Sequence, residues 1–201
     1  MDPGRPALLV VDLQNDFCPG GAIAVPDGDA IVPKVNRMID LFARRALPIV
    51  ASRDWHPRET RHFKGLGGAW PPHCIQGTKG ARFHPAMRLP KEAIVVSKGM
   101  DPEEDSYSAF QAVTDRGRDL EAVLRELGVE ELFLAGLATD YCVRASALDA
   151  MKRGFRVRVL GDAVRGVNLK PGDSEAALRE LKAHSIAIMG TRGLAKRLPG
   201  A

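Results

Sequence analysis

The stretch Glu131-Leu132-Phe133-Leu134-Ala135, then Gly136-Leu137-Ala138-Thr139-Asp140-Tyr141-Cys142, then a helical segment to Arg153, then Gly154 and Phe155-Arg156-Val157-Arg158-Val159-Leu160, decides the fold class. The first and last runs are short and apolar, as buried strands are. Thr139 is a candidate N-cap for the intervening helix, and Gly154 supplies its stop. A strand, a helix and a second strand in this order imply parallel pairing, with the helix packed on one face of the sheet.

The same alternation runs outward in both directions. Ala7-Leu8-Leu9-Val10-Val11 reads as a strand ending at Asp12. Ile31 to Arg45 carries Ile31, Val35, Met38, Ile39 and Phe42 at helical spacing. Leu47-Pro48-Ile49-Val50-Ala51 is a second strand ending near Asp54, and Ala93-Ile94-Val95-Val96 a third ending near Lys98. Leu120 to Leu127 is helical and stops at Gly128. Asp173 is a candidate cap for a helix through His184, and Ser185-Ile186-Ala187-Ile188-Met189 is a sixth strand. The expected architecture is α/β: a doubly wound, mainly six-stranded parallel sheet with helices on both faces. At 201 residues, near the upper end of the roughly 100–200 typical of one domain, residues 1–201 are read as a single domain. Two segments, 54–92 and 98–117, break the rhythm, and long irregular connections in compact domains are usually functional.

Composition excludes several classes. Hydrophobic residues make up 45% and charged residues 27%, as in ordinary globular proteins. No apolar run approaches the roughly 18 residues of a membrane helix. The opening Met1-Asp2-Pro3-Gly4-Arg5-Pro6 lacks the basic stretch and apolar run of a secretion signal. Three cysteines argue against a disulfide scaffold and for a reducing, cytoplasmic setting. The net charge of +4 comes from 29 basic residues scattered among 25 acidic ones, so no nucleic-acid surface is expected. The scarce residues are more informative: five His, three Cys, two Trp and two Tyr, many of them in a few short segments.

In a parallel sheet the strand ends share one edge, where open α/β folds bind ligands. That edge would gather Asp12, Asp54, Lys98 and, just beyond the fourth strand, Cys142. A thiol in the first helical turn, near an ammonium, is expected to have a lowered pKa. Asp12 could take its proton, and two N–H groups of the turn could hold an oxyanion. These are the parts of an acyl-transfer enzyme. The competing reading is a buried core cysteine beside a structural ion pair. A second cluster, Asp54-Trp55-His56 with His62 and His73, holds three of the five histidines. A mixed carboxylate and imidazole set suits zinc, manganese or iron; the alternative is a set of capping and surface histidines. His84 and His184 read as structural, and Cys18 and Cys74 as packed thiols, with a soft-ligand role for Cys74 the minor alternative. Gly65-Leu66-Gly67-Gly68 lacks phosphate-loop spacing and reads as a turn.

Five separated segments, in order from Ala7 to Met189, resemble the nicotinamidases of the isochorismatase-like hydrolase superfamily. They are Val10-Val11-Asp12-Leu13-Gln14-Asn15-Asp16-Phe17; Asp54-Trp55-His56-Pro57; Trp70-Pro71-Pro72-His73-Cys74-Ile75-Gln76-Gly77-Thr78; Lys98-Gly99 with Asp105-Ser106-Tyr107-Ser108-Ala109-Phe110; and Gly136-Leu137-Ala138-Thr139-Asp140-Tyr141-Cys142-Val143. Together they are highly specific.

The resemblance implies an isochorismatase-like hydrolase fold with Cys142 as nucleophile, Asp12 as proton-transfer base and Lys98 as third triad member. It implies one divalent ion (zinc, iron or manganese) on Asp54, His56 and His73, with His62 as fourth ligand. Phe17 and Trp70 would sandwich a pyridine ring, and Leu137, Tyr107 and Tyr141 would also belong to the substrate site. The Leu137–Ala138 peptide would be cis, and the N–H groups of Ala138 and Cys142 would form the oxyanion hole. The implied reaction is hydrolysis of nicotinamide, and by extension pyrazinamide, in NAD salvage, with both monomers and homo-oligomers represented in the family. The alternatives are a carbamoyl or ureido amidohydrolase of the same superfamily, which need not keep the metal ligands or ring walls, and a non-catalytic metal- or nucleotide-binding module on a doubly wound sheet.

Overall fold

The computed structural model describes residues 4–199; Met1 to Pro3 of the opening segment considered above, and the last two residues, lie outside the described part. Six strands form one sheet: β1 (Arg5–Val11), β2 (Ile49–Asp54), β3 (Ile94–Lys98), β4 (Val129–Leu137), β5 (Arg156–Arg165) and β6 (Ala187–Met189). Their order is β3-β2-β1-β4-β5-β6, and every neighbouring pair is parallel. The four α-helices are α1 (Val32–Ala43), α2 (Leu120–Glu126), α3 (Arg144–Lys152) and α4 (Asp173–Ala183).

The period of two along β1 builds both layers. Leu8 and Val10 pack into a core with Val35, Ile39 and Phe42 of α1. Ala7, Leu9 and Val11 pack into a second core with Leu120 and Leu124 of α2, Ala147 and Ala150 of α3, and Leu181 of α4. β1 is therefore covered on both faces, which explains why it reads as a continuous apolar run. Phe42 is fully buried with its ring edge-on to Phe133, centroids 5.9 Å apart. Burying such a side chain contributes about 1.5–3 kcal/mol.

Several boundaries differ from the sequence reading for local reasons. β5 continues through Gly161 and Asp162 to Arg165, because its partner β4 also continues to Leu137 beyond an irregularity near Gly136. Thr139 does not cap a helix with its side chain. Residues Thr139–Val143 form a π-helical turn closed by Val143 N–H to Ala138 O at 3.0 Å, and α3 begins only at Arg144. Asp173 does not cap α4: Gly172 holds the cap position at φ +92°, and the Asp173 carboxylate accepts from Lys170 N–H at 2.9 Å. Ser185, at φ +62°, belongs to the turn before β6.

The sheet order reverses between β1 and β4, the crevice where doubly wound sheets bind ligands. Gly136 makes that crevice tight. It sits at φ +118°, and a Cβ there would lie 2.0 Å from Val11 O.

Candidate active site

Four parallel strands deliver four side chains to one buried point. Asp12 follows β1, Asp54 ends β2, Lys98 ends β3, and Cys142 sits in the π-turn after β4. Asp12 holds an uncommon left-handed backbone (φ +43°), the kind of strain that concentrates at functional sites. Lys98 Nζ lies 3.0 Å from Asp12 Oδ2, hydrogen-bonds Asp54 Oδ1, and is 3.5 Å from Cys142 Sγ. The side chains of Lys98 and Asp12 are completely buried. Ser52 Oγ donates to the other Asp12 oxygen at 2.7 Å.

The electrostatics follow from that burial. Desolvation would lower the Lys98 pKa, but Asp12 and Asp54 reverse this and hold the ammonium well above its ordinary value. Burial raises the Asp54 carboxyl, yet Lys98, His56 and His73 outweigh it and the group stays well below the usual range. Asp12 goes the other way: burial, helped by the Asp54 charge, pushes it up despite Lys98 and Ser52. Cys142 overturns the sequence expectation of a lowered pKa. Burial raises the thiol well above its ordinary value, Lys98 offsets only part, and the Asp12 and Asp54 charges raise it further. The thiol is thus pushed up by burial beside a carboxylate that is itself pushed up by burial.

The histidines converge beside this point. One donor atom each from His56, His62 and His73 lies within 4.8 Å of the others, all buried. Asp54 Oδ2 is 3.8 Å from both His56 Nε2 and His73 Nε2, too far for a hydrogen bond. His73 Nδ1 meets Pro71 O at 2.8 Å, and His62 Nδ1 meets Asp105 Oδ1 at 2.5 Å. Such acceptors on the far ring nitrogen are the usual support of a metal-bound imidazole. Neither ring nitrogen of His56 has a hydrogen-bond partner among the described residues, an arrangement that is costly unless something else satisfies them. Gly99 lets this ring in, since a Cβ there would lie 2.4 Å from His56 Cε1. Burial lowers the His62 pKa despite Asp105, a shift toward the neutral imidazole that binds metals. The residues present therefore fit a divalent cation.

A pocket opens over both clusters. Its lining includes Phe17, Trp70, His62, His73, Tyr107, Ala138, Tyr141 and Cys142. Phe17 and His73 rings are 5.6 Å apart, and Trp70 meets Tyr141 edge-on at 4.9 Å. The Leu137–Ala138 peptide is cis, as the resemblance implies. Ala138 N–H has no acceptor among the described residues. Leu137 is fully buried, in the core cluster that also holds Phe17 and Val25, and is not among the residues lining the cavity, whereas Ala138 is.

Cys18 and Cys74 are free, buried thiols, with Cys18 pushed up to about 11 by burial and by Asp29. His84 Nδ1 accepts from Ala86 N–H at 3.2 Å, and His184 closes the end of α4. The sequence reading missed Ser52, Gln14, Asp105, Ile23, Ser106 and Val167. Gln14 binds both Asp54 backbone groups at 2.8 Å. Ser52 carried a readable signal, because it lies two residues before Asp54 on one strand and so shares its face. Gln14, Asp105 and Ser106 lie within the motifs quoted above, but a motif does not show which partner each side chain meets.

A doubly wound sheet with a buried thiol, carboxylate and ammonium at its switch point, beneath a pocket walled largely by aromatic side chains, is the arrangement of an α/β enzyme. An isochorismatase domain model matches residues 6–192. A nicotinamidase of Escherichia coli is 44% identical over 196 residues, covering 88% of this chain and 91% of the relative. The zinc complex of a pyrazinamidase from Pyrococcus horikoshii superposes with a TM-score of 0.86 at 48% identity, covering 92% of this chain and 99% of that one. PnC1 from L. infantum, solved with nicotinate, superposes with a TM-score of 0.83 at 35% identity, covering 93% of each chain. The chain belongs to the isochorismatase family, and it is one of that family's hydrolytic amidases.

Proposed function

We propose that the protein, as a single domain spanning residues 1–201, hydrolyses nicotinamide to nicotinate and ammonia through a thioester on Cys142, in cytoplasmic NAD salvage. Pyrazinamide falls in the same substrate class. The observation that carries the reading is one cavity shared by the Cys142 thiol, the aromatic side chains of Phe17 and Trp70, and the imidazoles of His62 and His73. The names of the relatives supply the substrate.

Phe17 and Trp70 hold the faces of the heteroaromatic ring, with Tyr107 and Tyr141 at its edges. Asp54, His56, His62 and His73 would hold a divalent cation; zinc, iron and manganese all suit the donor set. When bound, it supplies a Lewis acid for the ring nitrogen. Orientation then sets the carboxamide carbon beside Sγ. Asp12 accepts the thiol proton, and the thiolate forms the S–C bond. Lys98 stabilises the thiolate and the flanking carboxylates as charge moves between them. The N–H groups of Ala138 and Cys142 receive the developing oxyanion. As the C–N bond breaks, Asp12 gives its proton to the leaving nitrogen, releasing ammonia. Asp12 then takes a proton from water, whose oxygen attacks the thioester. The C–S bond breaks, the proton returns to Sγ, and nicotinate leaves. A base of raised pKa suits this double duty, because proton transfer is most effective when donor and acceptor are closely matched.

An ammonia-release assay with nicotinamide, with and without chelator, tests the reading. Cys142→Ala is expected to abolish release while nicotinamide still binds by calorimetry. Retained turnover in that variant refutes the nucleophile, and no release by the parent protein refutes the substrate.

A further inference from the structure

We infer that Asp105 is a positioning residue for the cation site, fixing His62 as the Nδ1–H tautomer and leaving Nε2 as its donor; this rests on the ligand reading above. A carboxylate only accepts, so the 2.5 Å contact with Asp105 Oδ1 requires the proton on His62 Nδ1. Pro71 O imposes the same tautomer on His73 at 2.8 Å. One imidazole is thus set by a backbone carbonyl and the other by a side chain from a different segment.

That segment is built to reach His62. Its start is tied to the histidine loop by Arg61 N–H to Pro102 O at 2.8 Å, Thr60 Oγ1 to Pro102 O at 3.1 Å, and an exposed Arg61–Glu103 ion pair at 2.9 Å. Its end is tied by Gln111 Oε1, which accepts from the N–H groups of Tyr107 and Ser108 at 3.0 Å each. The Asp105 side chain is 64% exposed while that of His62 is 3% exposed, so the carboxylate reaches inward from the surface to hold a buried ring. Tyr107, two residues on, receives Trp70 Nε1–H at 3.0 Å, so the same loop also sets the aromatic wall.

Cobalt(II) titration of the full chain, read by its visible d–d spectrum and by chelator competition, tests this. Asp105→Ala is expected to weaken cobalt binding about 10–100-fold, the usual effect of losing such a partner, and to alter the spectrum. Asp105→Asn keeps an acceptor oxygen and is expected to restore most of the affinity. Glu103→Ala removes the Arg61 pair from the same loop and is expected to change neither readout. The inference is overturned if Asp105→Ala binds cobalt like the parent, if Asn is no better than Ala, or if Glu103→Ala loses as much. His56→Ala separates the two levels. If it loses cobalt while Asp105→Ala keeps it, only the inference falls; if it too binds like the parent, the ligand reading falls.

Discussion

Lys98→Met isolates what the buried ammonium does. In the parent protein Lys98 Nζ is 3.0 Å from Asp12 Oδ2 and hydrogen-bonds Asp54 Oδ1, and all three side chains are at most 5% exposed. Methionine fills similar space without charge, leaving two carboxylates in a dry site with no counter-ion. Removing one partner of a buried pair costs about 3–5 kcal/mol, a large share of the roughly 5–15 kcal/mol that holds a domain together. The sign of the pH dependence is fixed. Burial and mutual repulsion raise the folded carboxyl pKa values of the variant above the unfolded value near 4. The folded variant then binds more protons than the unfolded chain, so its stability falls as pH rises, by up to about 1.4 kcal/mol per pH unit for each proton. In the parent, Lys98 holds Asp54 low, so the Asp54 contribution is present above pH 4 and lost as pH falls through its folded pKa, while Asp12, raised by burial, works in the opposite sense and offsets part of it. The deficit of the variant should be small near pH 4 and reach its full size by pH 7. Urea melts of metal-free protein, followed by fluorescence of Trp55 and Trp70, measure it. Adding Asp12→Asn to Lys98→Met should recover a substantial part of the loss at pH 7, because one uncompensated charge is gone. A deficit under about 1 kcal/mol that does not change with pH would refute the reasoning, since it would mean that water already compensates the carboxylates.

Ser52→Ala removes the 2.7 Å hydrogen bond to Asp12; it should cost about 1–3 kcal/mol and move the acidic limb of the kcat/KM profile to higher pH, because Ser52 holds the Asp12 pKa down. Gly136→Ala drives a Cβ to 2.0 Å from Val11 O at φ +118°, so a loss of about 3 kcal/mol or more is expected in a thermal melt. Gly154→Ala, at φ +82° with open space around it, should cost only about 1–2 kcal/mol from backbone strain; equal losses at the two positions would remove the steric argument. Asp162→Asn weakens a pair of 2.8 Å hydrogen bonds from Thr191 and should cost about 1 kcal/mol at pH 7. Burial raises the Asp162 pKa, but Thr191 and Lys34 outweigh it and hold it low. Its contribution is therefore present above pH 4 and lost as pH falls through the folded value, so parent and variant melts should converge in acid.

The architecture was legible because both of its periods are written in the chain. Ala7 to Val11 reads as a continuous apolar run, and β1 is covered by apolar side chains on both faces. Val35, Ile39 and Phe42 lie at helical spacing and form one packed stripe of α1. The boundaries were less legible wherever a partner strand overrode a local signal. Gly161-Asp162 looks like the end of a strand, but β5 runs on because β4 offers hydrogen-bonding groups as far as Leu137. Thr139 and Asp173 have the chemistry of caps, yet a π-turn and a left-handed glycine occupy those corners instead. Neither feature has a spacing that a single chain displays.

The site shows the same division more sharply. Strand-end positions on a parallel sheet brought out Asp12, Asp54, Lys98 and Cys142 once the alternation was read, and the crowding of three histidines in the 54–92 segment brought out the second cluster. Their ionisation could not be named that way. A helix turn and a nearby lysine both argue for a thiolate, and each is visible along the chain. Burial is not, since it depends on how Phe17, Trp70 and the Leu137–Ala138 turn close over the sheet edge. In a buried pocket desolvation outweighs one ammonium whose charge is already shared by two carboxylates, and the thiol pKa is pushed up. That reversal bears on the role proposed above for Asp12. In the proposed mechanism a thiol of raised pKa needs, for its first step, an acceptor whose own pKa has been lifted toward it, and burial raises that of Asp12. Lys98 is placed to balance either group in that proposal, because it lies 3.0 Å from the carboxylate and 3.5 Å from the sulfur.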